Sequence, residues 1–152
     1  MIFAFLTVFF ILLADQSLKY WILTNFDLYE QKEALSGVFS WFYIQNKGAG
    51  WGILDGKIPF LVVISLLVSG YLLYLIIRNR HQKPLVQLAY GLLLGGALGN
   101  LIDRLRIGYV VDMFKLEFIN FPIFNIADLA LALGIILLLL IVLFDNDVEE
   151  LL

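Results

Sequence analysis

IPFLVVISLLVSGYLLYLII, residues 58–77, runs for twenty positions without a charged side chain. As a helix rising 1.5 Å per residue it is about 30 Å long, the thickness of a bilayer's hydrocarbon core. Pro59 suits a first helical turn, where its missing N–H would have had no partner anyway. This stretch reads as a membrane span, and it decides the fold class.

Working outward, the next residues, RNRHQK at 78–83, form a tight basic turn, and Pro84 opens a second apolar run that extends to about Ile102. Gly91, Gly95 and Gly99 recur in it every four residues, so they share one helix face and let a neighbouring helix approach closely. At the start of the chain, residues 2–23 are apolar except near their end, where Asp15, Gln16, Ser17 and Lys19 appear. A cleaved signal peptide would begin with basic residues and end at a small-residue site. Here the first basic residue is Lys19, so a retained span is expected. Residues 122–144 make a fourth apolar run, and an acidic tail, DNDVEELL, follows.

The composition agrees: 62% of the 152 residues are hydrophobic, against about 45–50% in an ordinary soluble domain. The expected fold is an all-α membrane protein, one domain over residues 1–152, with four transmembrane helices at about 2–23, 58–77, 84–102 and 122–144. The segments outside the membrane are then 24–57 and 103–121. The first of these contains VFSWFYIQN, rich in strand-forming residues, followed by a glycine-punctuated loop, so a small β-containing segment is expected between spans 1 and 2. Its aromatic residues suit a membrane interface.

Composition also excludes chemistry. There is no cysteine, hence no disulfide, thiolate nucleophile or Cys-ligated metal, and His81 is the single histidine. No metal site and no cofactor are expected. The net charge of −3 is spread out, with no basic cluster suited to nucleic acid.

Four spans bring the end of the first, the end of the third and the start of the fourth to one membrane face. Asp15, Lys19, Asn46, Asn100, Asp103, Arg104, Asp112, Asn125 and Asp128 can therefore gather in one layer. Ionisable groups at membrane depth are costly and point to function. Asp15 and Lys19, four apart, can pair on one helix face. Asp103 and Arg104 are adjacent and must bond different neighbours. Asn125 and Asp128 lie near a helix start, where backbone N–H groups favour a carboxylate. Asp112 follows a β-branched run and belongs on a strand or loop. On residue types alone, Asp112 and Asp128 read equally well as two separate caps or ion-pair partners, with Lys115 and Arg104 available to neutralise one, and as a dyad that shares a proton and activates water.

Five blocks carry a resemblance: DQSLK at 15–19, NKGAGWGIL at 46–54, GGALGNLIDR at 95–104, VVDMF at 110–114 and FNIAD at 124–128. In this order, with four spans, the chain resembles lipoprotein signal peptidase (signal peptidase II) along nearly its whole length. The resemblance implies a bacterial inner- or plasma-membrane aspartic endopeptidase. Its substrates would be prolipoproteins carrying diacylglycerol on a cysteine, cut on the amino side of that cysteine. It further implies Asp112 and Asp128 as the catalytic pair, Asn46, Gly48, Asn100, Arg104 and Asn125 around the substrate, and Asp15, Lys19 and Asp103 in support. Inhibition by globomycin-type compounds, a site near the extracytoplasmic face, cytoplasmic termini and a monomer are expected with it. The basic turn at 78–83 fits cytoplasmic placement, although raw Lys/Arg counts do not favour it, because six such residues lie on the other side. One departure is NKGAGWG, in which Gly50 and Trp51 replace the family's more usual small residue and phenylalanine.

Two other classes are discriminated by motif. Presenilin-type and prepilin-peptidase-type proteases carry GxGD, which is absent. A small transporter using Asp15, Lys19 and Asp128 as an ion relay would often show an internal repeat, and none is evident.

Overall fold

A computed structural model describes residues 1–50 and 53–144. Trp51 and the acidic tail lie outside the described residues. Four helices, α1 (Ile2–Asn25), α2 (Ile58–Arg78), α3 (Pro84–Ile107) and α4 (Ile126–Phe144), are long and apolar enough to cross a membrane. Three strands, β1 (Gln31–Leu35), β2 (Phe39–Asn46) and β3 (Val110–Leu116), form one antiparallel sheet in the order β1-β2-β3.

Helix α3 is the centre of the bundle. Of its most apolar stretch 67% is buried, against 22% in each of the other three, and α1, α2 and α4 all pack on it. The reason lies in its small residues. A Cβ on Gly91 would stand 2.7 Å from the Ala4 carbonyl oxygen, and one on Gly95 3.0 Å from Ile11 Cβ, so the glycine stripe is what lets α1 lie against α3. Gly96 faces the other way and admits α4 at Ala127 and Leu131. In lipid such packing replaces the hydrophobic drive that holds soluble bundles together. The outer faces remain apolar and exposed, as at Phe60, Leu67 and Leu143, which suits contact with acyl chains.

The sheet sits at the end of the bundle where α1 and α3 finish and α4 begins. Ile22 of α1 and Phe26, just past its end, pack with Tyr43, Val111 and Met113 to join it to the helices. A chain of rings, Trp21–Trp41–Phe114–Phe124, with centroids 5.3–5.4 Å apart, extends that contact. In the β2–β3 register Ile44 pairs with Asp112 and Asn46 with Val110, and an irregularity between Trp41 and Ile44 shifts the register midway along the pair.

The β-containing segment expected between spans 1 and 2 is present as β1 and β2, and β3, from the segment before α4, completes the sheet. Two helix boundaries differ from the expected spans. Helix α3 does not stop at Ile102. It continues through Asp103 and Arg104 to Ile107 and ends on Gly108, whose φ of 77° is the left-handed conformation that closes a helix. The charges there did not end the helix because they face inward onto partners. Helix α4 begins at Ile126, not Pro122. Residues before it form an isolated bridge from Phe124 to Phe114, and Asn125 caps the helix.

Candidate active site

Asn125 and Asp128 form a reciprocal cap on α4. The Asp128 backbone N–H donates to Asn125 Oδ1 at 2.9 Å, and the Asn125 backbone N–H donates to Asp128 Oδ2 at 3.2 Å. With its oxygen engaged, the Asn125 amide must turn its nitrogen elsewhere. Nδ2 donates to Asp112 Oδ1 at 2.6 Å and to Asn100 Oδ1 at 3.1 Å. Asn125 thus bridges the two carboxylates, one from a strand and one from a helix.

Two further asparagines repeat the pattern. Asn46 accepts the Gly48 N–H on Oδ1 at 2.9 Å, a local turn that leaves Nδ2 to donate to Asp112 Oδ2 at 2.9 Å. Asn100 accepts Lys19 Nζ on Oδ1 at 3.1 Å and donates from Nδ2 to Asp128 Oδ1 at 2.7 Å. Each amide has its oxygen pinned and its nitrogen aimed at a carboxylate. Donors of this kind stabilise the ionised form.

Beneath them lies a buried charge cluster. Lys19, 1% exposed, bonds Asp15 Oδ2 and Asp103 Oδ2, each at 2.9 Å. With Asn100 that accounts for all three ammonium N–H groups. Asp15 also accepts the Ala127 N–H at 2.9 Å, and Asp103 the Val111 N–H at 3.1 Å. The cluster therefore ties α1 and α3 to the start of α4 and to β3, on which the two aspartates sit. Gln16 adds bonds to both carboxylates and to the Gly99 carbonyl. A Cβ on Gly99 would stand 2.8 Å from Asp15 Oδ2, so the last glycine of the stripe makes room for the carboxylate.

Asp112, on β3, is 1% exposed. Burial first, and the nearby charge of Asp128 second, push its carboxyl up from 3.8 to about 7, against the lowering effect of the Asn46 and Asn125 bonds. Both aspartates line a cavity of ≈ 650 Å³. Arg104 lines it too, and its NH2 group donates to the Gly48 carbonyl at 3.0 Å. The Arg104 Nε is buried and has no partner among the described residues. One wall is apolar: Leu131, Ala132 and Ile135 lie three, four and seven positions beyond Asp128, on the same face of α4.

All ten sequence-derived residues, Asp15, Lys19, Asn46, Gly48, Asn100, Asp103, Arg104, Asp112, Asn125 and Asp128, are brought into this one connected group. Lys115 is not. It bonds Gln31 Oε1 at 3.1 Å and lies 3.6 Å from Glu117, on the exposed part of the sheet, so it does not neutralise either aspartate. Asp103 and Arg104 do diverge onto different neighbours, as adjacency on a helix requires. Sequence reading did not single out Gln16, although a polar residue next to Asp15 in a span was the available signal. It also missed Gln45, Lys47 and Asp55 on the cavity wall. Gly50 borders the cavity, with open space where a Cβ would stand. Among the described residues, no group of three His, Asp or Glu side chains could hold a metal ion.

The two carboxylates are bridged at one end of the helical bundle. A family model described as Signal peptidase (SPase) II matches residues 7–144. The chain belongs to the signal peptidase II family. Lipoprotein signal peptidases are similar over most of its length: that of Lactobacillus johnsonii is 41% identical over 137 residues, 90% of this chain and 89% of the relative. That of Streptococcus pyogenes serotype M1 is 44% identical over 133 residues, 88% of each. That of Lactiplantibacillus plantarum is 44% identical over 143 residues, 92% of this chain and 93% of the relative. A bacterial membrane enzyme solved by the in meso method at 2.3 Å resolution superimposes with a TM-score of 0.88 at 36% identity, covering 94% of this chain and 88% of that one. As a member of the signal peptidase II family, the protein is a multi-pass membrane peptidase of the aspartic type.

Proposed function

We propose that the protein removes the signal peptide from diacylglyceryl-modified prolipoproteins, cleaving on the amino side of the lipidated cysteine with Asp112 and Asp128 as the catalytic dyad. The observation that carries this reading is the placement of both carboxylates, bridged by Asn125, in one cavity whose far wall is the apolar face of α4. A substrate with a hydrophobic signal segment and a diacylglyceryl group needs both features, a hydrolytic centre and an apolar wall at membrane depth.

In the working form the dyad holds one proton. The ionised carboxylate takes a proton from a bound water as the water oxygen attacks the scissile carbonyl. The protonated partner donates to the carbonyl oxygen, giving a neutral tetrahedral diol. Collapse of the diol returns a proton through the dyad to the leaving amine, and the one-proton state is restored. The three asparagines hold the carboxylates in register throughout. Arg104, on the cavity wall, offers a substrate carbonyl a charge-assisted donor. The enzyme acts in the bacterial plasma membrane, with the sheet and dyad at the extracytoplasmic face and the termini in the cytoplasm. Globomycin-type compounds occupy the same cavity.

The test compares two precursors identical except for the diacylglyceryl group, incubated with the purified protein. Cleavage of the lipidated precursor alone, blocked by globomycin, supports the reading. Equal cleavage of both removes the lipid from it.

A further inference from the structure

Of the three acceptors around Lys19, two are carboxylates, which any buried ammonium would seek. The third is the neutral amide of Asn100, at 3.1 Å, and that contact reaches the dyad. The oxygen and nitrogen of an amide occupy nearly the same places when the group turns over, so its partners decide its orientation. As it stands, Asn100 meets Lys19 Nζ and Asn125 Nδ2 with its oxygen, and Asp128 Oδ1 with its nitrogen at 2.7 Å. Turned over, it would present its oxygen to a carboxylate and its NH2 to an ammonium and to another NH2. All three contacts would become repulsive.

We propose that Lys19 is a positioning residue for catalysis: by gripping Asn100 Oδ1 it keeps the amide nitrogen on Asp128, and so sets the pH range in which the dyad holds a single proton. This rests on the dyad reading above. The charged or titratable groups facing the dyad are Asp15 and Lys19 from α1, Asp103 and Arg104 from α3, Asp112 and Asp128 themselves, and Lys47 and Asp55 on the cavity wall. The Lys19 charge also acts on Asp112 through space and favours its ionised form, so the orientation of the Asn100 amide distinguishes the grip from the field.

The test uses a charge-balanced double variant, Lys19→Met with Asp103→Asn, in the full-length protein. It removes one positive and one negative charge, so the net charge of the buried cluster is unchanged, and Asn at 103 can still accept the Val111 N–H. With one of its three orienting contacts gone, Asn100 holds its nitrogen on Asp128 less firmly, and a donor that favours the ionised form of Asp128 is weakened. The acidic limb of the kcat/KM profile of folded protein should move to higher pH by about one unit, a roughly tenfold loss on that side that recovers as pH rises. Lys19→Arg, which keeps a cation and N–H donors, should leave the limb in place. A profile lowered evenly, with its limb unmoved, overturns the proposal.

If the double variant does not fold, isotope-labelled wild-type protein decides. Nuclear magnetic resonance contacts from Lys19 Nζ to Asn100 Cγ and from Asn100 Nδ2 to Asp128 Cγ are expected, and an amide that populates both orientations contradicts the proposal. Asp112→Asn and Asp128→Asn run in the same assay keep the two ideas apart. Normal turnover by either removes the dyad reading itself, whereas inactive Asp variants beside an unmoved limb remove only the role of Lys19.

Discussion

Asn125 donates from Nδ2 to Asp112 Oδ1 at 2.6 Å while its own oxygen caps the helix that carries Asp128. One side chain therefore does two separable jobs. Serine can cap a helix but cannot reach Asp112, and alanine can do neither. Asn125→Ser should retain most of the thermal stability and lose about tenfold to a hundredfold in kcat/KM, the cost of one hydrogen bond to a charged group. Asn125→Ala should lose a similar amount of activity and also about 1 kcal/mol of stability with the cap. Unfolding midpoints measured beside turnover separate the two effects. Equal stability of the two variants would contradict the capping role.

The glycine stripe makes a contrast with a glycine outside it. At Gly99 an added Cβ meets Asp15 Oδ2 at 2.8 Å and Ala127 Cβ at 3.0 Å, whereas at Gly70 on α2 it meets nothing within 4 Å. Gly99→Ala should destabilise by about 1–3 kcal/mol through overpacking and displace the carboxylate that holds the Ala127 N–H. Gly70→Ala should leave the melting temperature unchanged or slightly raised, since alanine is the better helix former. Thermal unfolding in the same detergent tests both.

The pH dependence follows from Asp112. Its folded value of about 7 stands above the 3.8 of an unperturbed aspartate, so over that interval the folded protein holds a proton that the unfolded chain releases. The stabilisation is complete below 3.8 and is lost as pH rises through about 7. Relative to Asp112→Asn, the wild-type protein should therefore lose stability, on the order of a few kcal/mol, between about pH 4 and about pH 8. Turnover should fall above about pH 7 as the shared proton leaves. A stability difference between the two proteins that is flat across this range would show that Asp112 carries no such shift.

How much of this was legible in the chain depends on how local each signal was. The four spans were readable because each is a contiguous apolar run, and Asp15 with Lys19 because one helical turn separates them. The union of β2 with β3 was not readable. Asn46 and Val110 are far apart in sequence, and no local pattern says that they pair. Helix α3 ends and helix α4 begins several residues past the ends of the expected spans, for one shared reason. Asp103 and Arg104 look like an exit from the membrane until Asp103 is seen bonded inward to Lys19. Pro122 looks like a helix start until the Asn125–Asp128 cap is seen three residues later. The direction of the Asn100 amide, on which the dyad's geometry depends, is decided wholly by tertiary partners.

The central claim is that Asp112 and Asp128 perform the hydrolysis together, and one measurement tests it most directly. Cleavage of a diacylglyceryl prolipoprotein by Asp112→Asn and by Asp128→Asn is compared with wild type, each protein first verified as folded by its thermal transition. Either substitution should reduce kcat by at least about 10²–10⁴-fold, the contribution expected of a general acid–base group. Near-normal turnover by either folded variant would contradict the account.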